Sequence, residues 1–391
     1  MAEHRKMPTI PDEEFVQRWR ALQALMAEEG LDALVVNGGE QEHANVRYLS
    51  DHWAALEYAG VLMPPSGDPI IMVGPESGTW AAARGRIPQV REMFEYRSSG
   101  DFAWPEWDVA GFKSVFEEAG IIDPERIGVA TTFSTTWVML EALQSTFPTA
   151  EIVKADHFVT SLREKKSPAE IACLREAFRV SERAVGDIIE NVRPGMTECE
   201  IVGIAQASMY ANGAESEGMI QYVFSGENTR HPICRASHRV VREGDLLLLD
   251  IAARVSGYSS AVGRPLLIGK VDPDIRSLVE FARDAHYYAE SLLRPGVIAM
   301  DVVKQYKQFF ADHGRMDNFV YEPCHAIGII EAEPPGMEIT SEYALEKDMV
   351  WQLDTFALSD KVGVRWENGV IITDDGVERL SGRYMDIIEI A

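Results

Sequence analysis

The chain has 391 residues, with 37 Lys plus Arg against 62 Asp plus Glu and a formal net charge of −25 at pH 7. That charge repels a phosphate backbone and no basic cluster offsets it, which excludes a nucleic-acid partner. Hydrophobic residues at 46% are the usage of an ordinary globular chain. No apolar run approaches the roughly 18 residues of a membrane span and no leader-like segment opens the chain, so a cytoplasmic protein without a membrane partner is expected.

Length predicts two domains, placed at 1–158 and 159–391. The first alternates strand-like and helix-like segments, with strands expected at DALVVNG from Asp32, GVLMPP from Gly60, PIIMVG from Pro69, IGVAT from Ile127 and EIVKAD from Glu151. An α/β domain follows. The aromatic loop at 101–112 is read as packing on this domain's surface. At LREKKSPAEI, Ser167 is the expected N-cap of a long helix, with Pro168 at its first position and Glu170 closing a capping box. The helix stops near Pro194-Gly195.

An internal repeat dominates the second domain. Arg-Pro-Gly begins at Arg193 and again 101 residues later at Arg294, and glycines close the following helices at Gly213 and Gly314. Each copy leads into a β-rich stretch, from Gly244 and from Asp348, so a pseudo-twofold pair of helix-helix-sheet units flanking a cleft is expected. Cys173, Cys199, Cys234 and Cys324 lack C-x-x-C spacing and are read as reduced.

The order LREKKSPAEI, LLLLD, GYSSA, CHAIG, MVWQLD and RWE resembles the pita-bread family of prolidase, aminopeptidase P, methionine aminopeptidase and creatinase. The resemblance implies an α/β N-terminal accessory domain, an α+β pita-bread (creatinase/aminopeptidase) C-terminal domain with an internal pseudo-twofold repeat, and a homodimer. The family's peptidases hold two metal ions through Asp, Asp, His, Glu and Glu. Asp250 matches the first Asp, His325 the His and Glu367 the last Glu, while Asp354 replaces the first Glu and is one methylene shorter. The second Asp, eleven positions after the first, is here Ala261. The substrate-facing His position holds Ile233, with His231 two residues earlier, and the second His after the metal-binding one is Ala332.

A metal pair needs bridging ligands to offset its repulsion. No metal cofactor is therefore expected, with a single divalent ion (Zn, Mn or Fe) on His325, Asp354, Glu367 and Asp250 as the alternative. Creatinase, a metal-free relative, also has Ala at the second Asp. The resemblance thus implies a creatinase-like hydrolase cleaving a C–N bond of a small polar or zwitterionic substrate by general acid/base catalysis. His325, Glu367, Asp250, Asp354 and His231 are the candidate catalytic groups. Arg365 is a candidate partner for a substrate carboxylate, and Tyr258, Trp351 and Trp53 for a cation. Gly263 stands where creatinase places a substrate-binding Glu, which argues against creatine. The tract EAEPP at 331–335 is read as a cleft-edge loop. Other readings are an Xaa-Pro dipeptidase with one ion, a C–S lyase acting on a small onium acid, and a non-catalytic binding module.

Overall fold

The computed structural model describes residues 6–98 and 108–391, so Trp104 and Trp107 of the aromatic loop lie outside the described residues. Two units form. The first is Ile10–Arg163, and the second joins the described residues up to Thr9 to Glu164–Ala391. The boundary therefore falls after Arg163 rather than at the expected 158/159. The physical reason is a helix, Asp156–Arg163, that buries Phe158 and Val159 within the first unit.

In chain order the first unit runs α1 (Asp12–Glu29), β1 (Ala33–Gly38), α2 (Ala44–Ser50), β2 (Ala59–Met63), β3 (Ile70–Val73), α3 (Gly78–Arg84), β4 (Val90–Glu92), α4 (Phe112–Glu118), β5 (Arg126–Ala130), α5 (Trp137–Thr146), β6 (Glu151–Lys154) and α6 (Asp156–Arg163). All five strands expected from the sequence are present, and β4 is additional. They form one mixed sheet in the order β4-β3-β2-β1-β5-β6, which leaves β6 at an edge. Every residue of β1, β2 and β3 is buried. Burial on both faces is why these strands read as unbroken apolar runs.

The second unit contains α7 (Pro168–Asn191), α8 (Glu198–Ala211), β7 (Ser216–Glu217), β8 (Tyr222–Ser225), β9 (Leu246–Ile251), β10 (Ala253–Val255), β11 (Tyr258–Ser259), β12 (Val262–Ile268), α9 (Pro273–Leu292), α10 (Ala299–Asp312), β13 (Cys324–Ala326), β14 (Glu333–Gly336), β15 (Val350–Leu358) and β16 (Gly363–Ile372). The capping box at α7 is complete: the Ser167 hydroxyl accepts from the Glu170 amide at 3.2 Å and the Glu170 carboxylate accepts from the Ser167 amide at 2.7 Å. Such a cap stabilises a helix by about 1 kcal/mol.

The repeat appears as α7–α8 and α9–α10, in each case a long helix followed by one of 14 residues. Gly195 and Gly296 turn the chain between them at φ 97° and 83°, a conformation that side chains rarely adopt. The main sheet carries the order β14-β13-β15-β16-β12-β9-β8. Outward from the β12/β16 seam it reads β12-β9-β8 on one side and β16-β15-β13 on the other, as the pseudo-twofold requires. Asp250 pairs with Gly263 and Asp354 with Glu367, so the two aspartates hold equivalent places in the two halves.

Gly263 is also a spacer, because a Cβ there would lie 2.5 Å from the Glu367 Cβ and 3.0 Å from its amide nitrogen. Gly263→Ala is expected to cost about 1–3 kcal/mol by overpacking and to displace Glu367. Urea melts together with a crystal structure of the variant would check both effects; an unchanged midpoint would mean the strands part freely.

Behind the sheet, His286 of α9 lies 3.2 Å from the Thr355 hydroxyl and 2.5 Å from the Asn368 side-chain oxygen. Burial pushes its pKa down to about 3, and the Asn368 contact only partly opposes this. In the first unit, burial and then Arg47 push His52 down to about 4. The unfolded chain binds protons at both sites below about pH 6.5 while the folded chain stays neutral, so stability falls as pH drops through that window. Between pH 7 and 5 each site is expected to remove about 2 kcal/mol. His286→Gln should flatten the pH dependence of the urea midpoint by its share, and an unaltered slope would contradict the assignment. No helix among the described residues is long and apolar enough to cross a membrane.

Candidate active site

Strand alternation decides which side chains meet. Along β15, Trp351 and Leu353 enter the core against α9 and α10, which leaves Asp354 on the opposite face. Along β16 the same rule sends Trp366 to the core and Arg365 and Glu367 to the Asp354 side. Asp250 comes from β9, His325 from β13 and Glu331 from the turn between β13 and β14. Together with Tyr222 and Tyr321 these residues line a cavity of about 260 Å³, at the small end of ligand pockets.

At its floor the buried Arg365 guanidinium meets three carboxylates: Asp354 at 3.0 Å, Asp250 at 3.4 Å and Glu367 at 3.7 Å. It also donates to the Tyr321 hydroxyl at 2.8 Å, and that hydroxyl donates to Asp354 Oδ2 at 2.8 Å. Asp354 Oδ1 and Glu367 Oε2 face the Arg365 Nε without hydrogen-bond geometry, and Asp250 shares a hydrogen bond with Glu367. Buried oxygens in that state favour an incoming N–H or cation. Across the cavity, His325 Nε2 lies 3.1 Å from Glu331 Oε1.

The charges set distinct protonation states. Burial raises Glu367 well above the usual carboxylate range, and repulsion from Asp250 and Asp354 adds to this against the opposing Arg365, which favours its protonated form. Burial likewise lifts Asp250 to about 6, with Arg365 opposing. For His325, burial disfavours the cation, but Glu331 and then Asp354 outweigh it and push the imidazole up to about 9. Burial also works against the Glu331 anion, yet His325 and Arg365 hold that carboxyl below its usual value. An acid, Glu367, and a base, Glu331, thus face one cavity with their affinities for protons driven apart.

Of the residues named from the sequence, Asp250, His325, Asp354, Arg365 and Glu367 line this cavity, and four others do not. His231 is exposed beyond a turn at 226–230, while its neighbours Pro232 and Ile233 reach the cavity. Tyr258 is buried, and its hydroxyl donates to Glu170 at 2.7 Å. Trp351 is fully buried and stacks on Tyr343, on the core side of β15. Trp53 belongs to the first unit, where its indole donates to the Glu40 carbonyl and Arg47 covers the ring. Arg365 reaches the cavity but is committed to carboxylates of the protein rather than held open for a substrate's.

The tract at 331–335 does begin in a turn at the cleft, but Glu331 is a site residue and not only loop edge. The loop is pinned from below: Ser259 donates through its amide to the Gly328 carbonyl at 2.7 Å and through its hydroxyl to that of Ile329 at 3.0 Å, and buried Lys166 pairs with Glu333 at 2.7 Å. The available signal was an acid directly before Ala332, where the family has a histidine. Tyr222 and Tyr321 had no comparable signal.

Ala261 is buried and offers no ligand atom, and its carbonyl accepts from the Gln352 amide at 2.7 Å. The residues present do not fit a two-metal centre. His325, Glu331 and Glu367 each offer one ligand atom, all within 4.8 Å of one another. A single divalent ion would therefore engage Glu331, with Asp250 and Asp354 turned to Arg365, which differs from the set expected from the sequence.

The sequence pattern of metallopeptidase family M24 matches residues 172–374, and that of the creatinase/prolidase N-terminal domain matches 18–165. The chain is 27% identical to an Xaa-Pro dipeptidase of Pyrococcus furiosus over 282 residues, 72% of this chain and 80% of the relative. It is 23% identical to a creatinase of a Bacillus species over 394 residues, 96% of this chain and 92% of the relative. Among solved structures, the prolidase from Pyrococcus horikoshii superposes with a TM-score of 0.81 at 21% identity, covering 95% of this chain and all of that one. The X-Pro aminopeptidase from Thermotoga maritima gives 0.82 at 22%, covering 95% and 99%. At these identities the superpositions establish the two-domain pita-bread fold.

Proposed function

This chain belongs to metallopeptidase family M24, and we propose that it is a hydrolase that cleaves a C–N bond of a small cationic or zwitterionic substrate by general acid/base catalysis without a metal ion. The observation that carries this reading is the His325–Glu331 pair at 3.1 Å, grouped with buried Glu367 in a cavity where Ala261 stands at the position of a bridging carboxylate. The full-length similarity to a creatinase supports the same class.

In this mechanism the substrate's nitrogen enters against the acid cluster of Asp250, Asp354 and Glu367. A water beside the His325–Glu331 pair loses its proton to the Glu331 carboxylate, next to the His325 imidazolium, as its oxygen bonds to the substrate carbon. Glu367 then delivers its proton to the nitrogen as the C–N bond breaks, so the amine leaves neutral. Arg365 keeps the two aspartates compensated throughout, which holds the cavity at a modest net charge.

An Xaa-Pro dipeptidase reading is favoured by one observation, the close trio of His325, Glu331 and Glu367 around a point that a single divalent ion could occupy. Metal analysis by plasma mass spectrometry, paired with turnover after chelation on Xaa-Pro dipeptides and small amide, guanidino and onium acids, separates the two. Well under one equivalent of metal and chelator-resistant turnover of a small acid are expected. Stoichiometric metal with chelator-sensitive dipeptide cleavage would replace the metal-free reading.

A further inference from the structure

The cavity that holds the acid cluster has a mouth of the opposite sign. Inside, its only cations among the described residues, Arg365 and His325, are already engaged, Arg365 by Asp250, Asp354 and Glu367 and His325 by Glu331. A substrate carboxylate therefore meets no free cation there. Pro232 and Ile233 also line the cavity, in a segment tied to the floor by Arg365, which donates to the Pro232 carbonyl at 3.2 Å. Ile233 is 80% exposed, so this segment stands at the entrance. Arg230 precedes Pro232 by two residues and Arg235 follows Ile233 by two, a backbone span of at most about 7 Å on either side. Both arginines are exposed, and neither makes an ion pair among the described residues.

A chain of net charge −25 repels an approaching anion unless cations stand along its path. Two unpaired arginines beside the entrance supply them, and each guanidinium can hold a carboxylate through two N–H donors. Met219, Pro232 and Ile233 add an apolar wall to the same cavity. We propose that Arg230 and Arg235 receive the carboxylate of a zwitterionic substrate whose cationic nitrogen lies in the acid cluster, with an apolar spacer between the two charges. This rests on the reading of that cluster as the seat of the substrate's nitrogen, and it narrows the substrate class from any small cation to a guanidino, amino or onium acid.

Calorimetric binding of 4-guanidinobutanoate and of its carboxamide to the full chain tests this, because the two probes share the guanidinium and differ in the carboxylate. The acid is expected to bind about three- to tenfold more tightly than the carboxamide at low salt. Raising the salt to about 1 M, where the screening length falls to about 3 Å, should shrink that gap. In the double variant R230Q/R235Q the order is expected to reverse, since the remaining field of the acid cluster repels a carboxylate. The charge-keeping pair R230K/R235K retains the native order. Both positions are exposed, and unchanged melting temperatures would show that the variants are folded. An acid bound no more tightly than its carboxamide, or a preference that survives R230Q/R235Q, overturns the proposal and leaves the acid cluster as a cation site. Failure of both probes to bind the native chain overturns that reading of the cluster and this proposal with it.

Discussion

Glu367→Gln is expected to lower kcat/KM by roughly 10²- to 10⁴-fold, the usual contribution of a positioned proton donor. The amide keeps the shape and can still hydrogen-bond, but it has no proton to give to the leaving nitrogen. Stability should not follow activity. Glu367 is buried and driven toward its neutral acid, so a neutral amide of the same shape changes the local charge little, and the melting temperature at pH 7.5 should hold. Steady-state kinetics and calorimetry on the same preparation would decide it. Activity within threefold of the native chain, in a folded variant, would remove Glu367 from the reaction.

Glu331→Gln carries the second large effect. Glu331 is the strongest influence raising the His325 pKa to about 9 against burial, so its neutralisation should move the alkaline limb of the pH profile to lower pH. The turnover number should drop about 10²-fold or more, because the carboxylate that takes the proton of the attacking water is gone. A raised histidine pKa stabilises the folded state fully below about 6.5, and this contribution is lost as pH rises through about 9. The native chain should therefore lose stability between pH 7 and 10, and Glu331→Gln should lose less. Profiles and melts that superimpose on the native ones would show that the His325–Glu331 contact is idle.

Much of the fold was legible because its signals are local. The capping box at Ser167 and Glu170 needs four consecutive residues, and the Arg-Pro-Gly pairs at Arg193 and Arg294 mark helix ends by backbone chemistry alone. The strands β1, β2 and β3 show as apolar runs because both their faces are buried. The domain boundary was misplaced because a short amphipathic helix, α6, buries its apolar residues in the first unit, and sequence alone does not say against what a helix packs.

The candidate site was legible as residue types in a fixed order, and Asp250, His325, Asp354, Arg365 and Glu367 do converge. His231, Tyr258, Trp351 and Trp53 were placed by proximity in sequence or by chemical type, and neither fixes direction. One position along β15 separates the cavity face from the core face, which is enough to take Trp351 out of the site and leave Asp354 in it. The sequence by itself determined the two-domain plan, the duplicated helix pairs and the loss of a bridging carboxylate at Ala261. Only the tertiary structure decided that Glu331 closes on His325 and that Arg365 answers three buried acids. Such contacts join residues far apart in the chain or at the far side of a turn, and their energies come from burial and mutual distance, which no local pattern encodes.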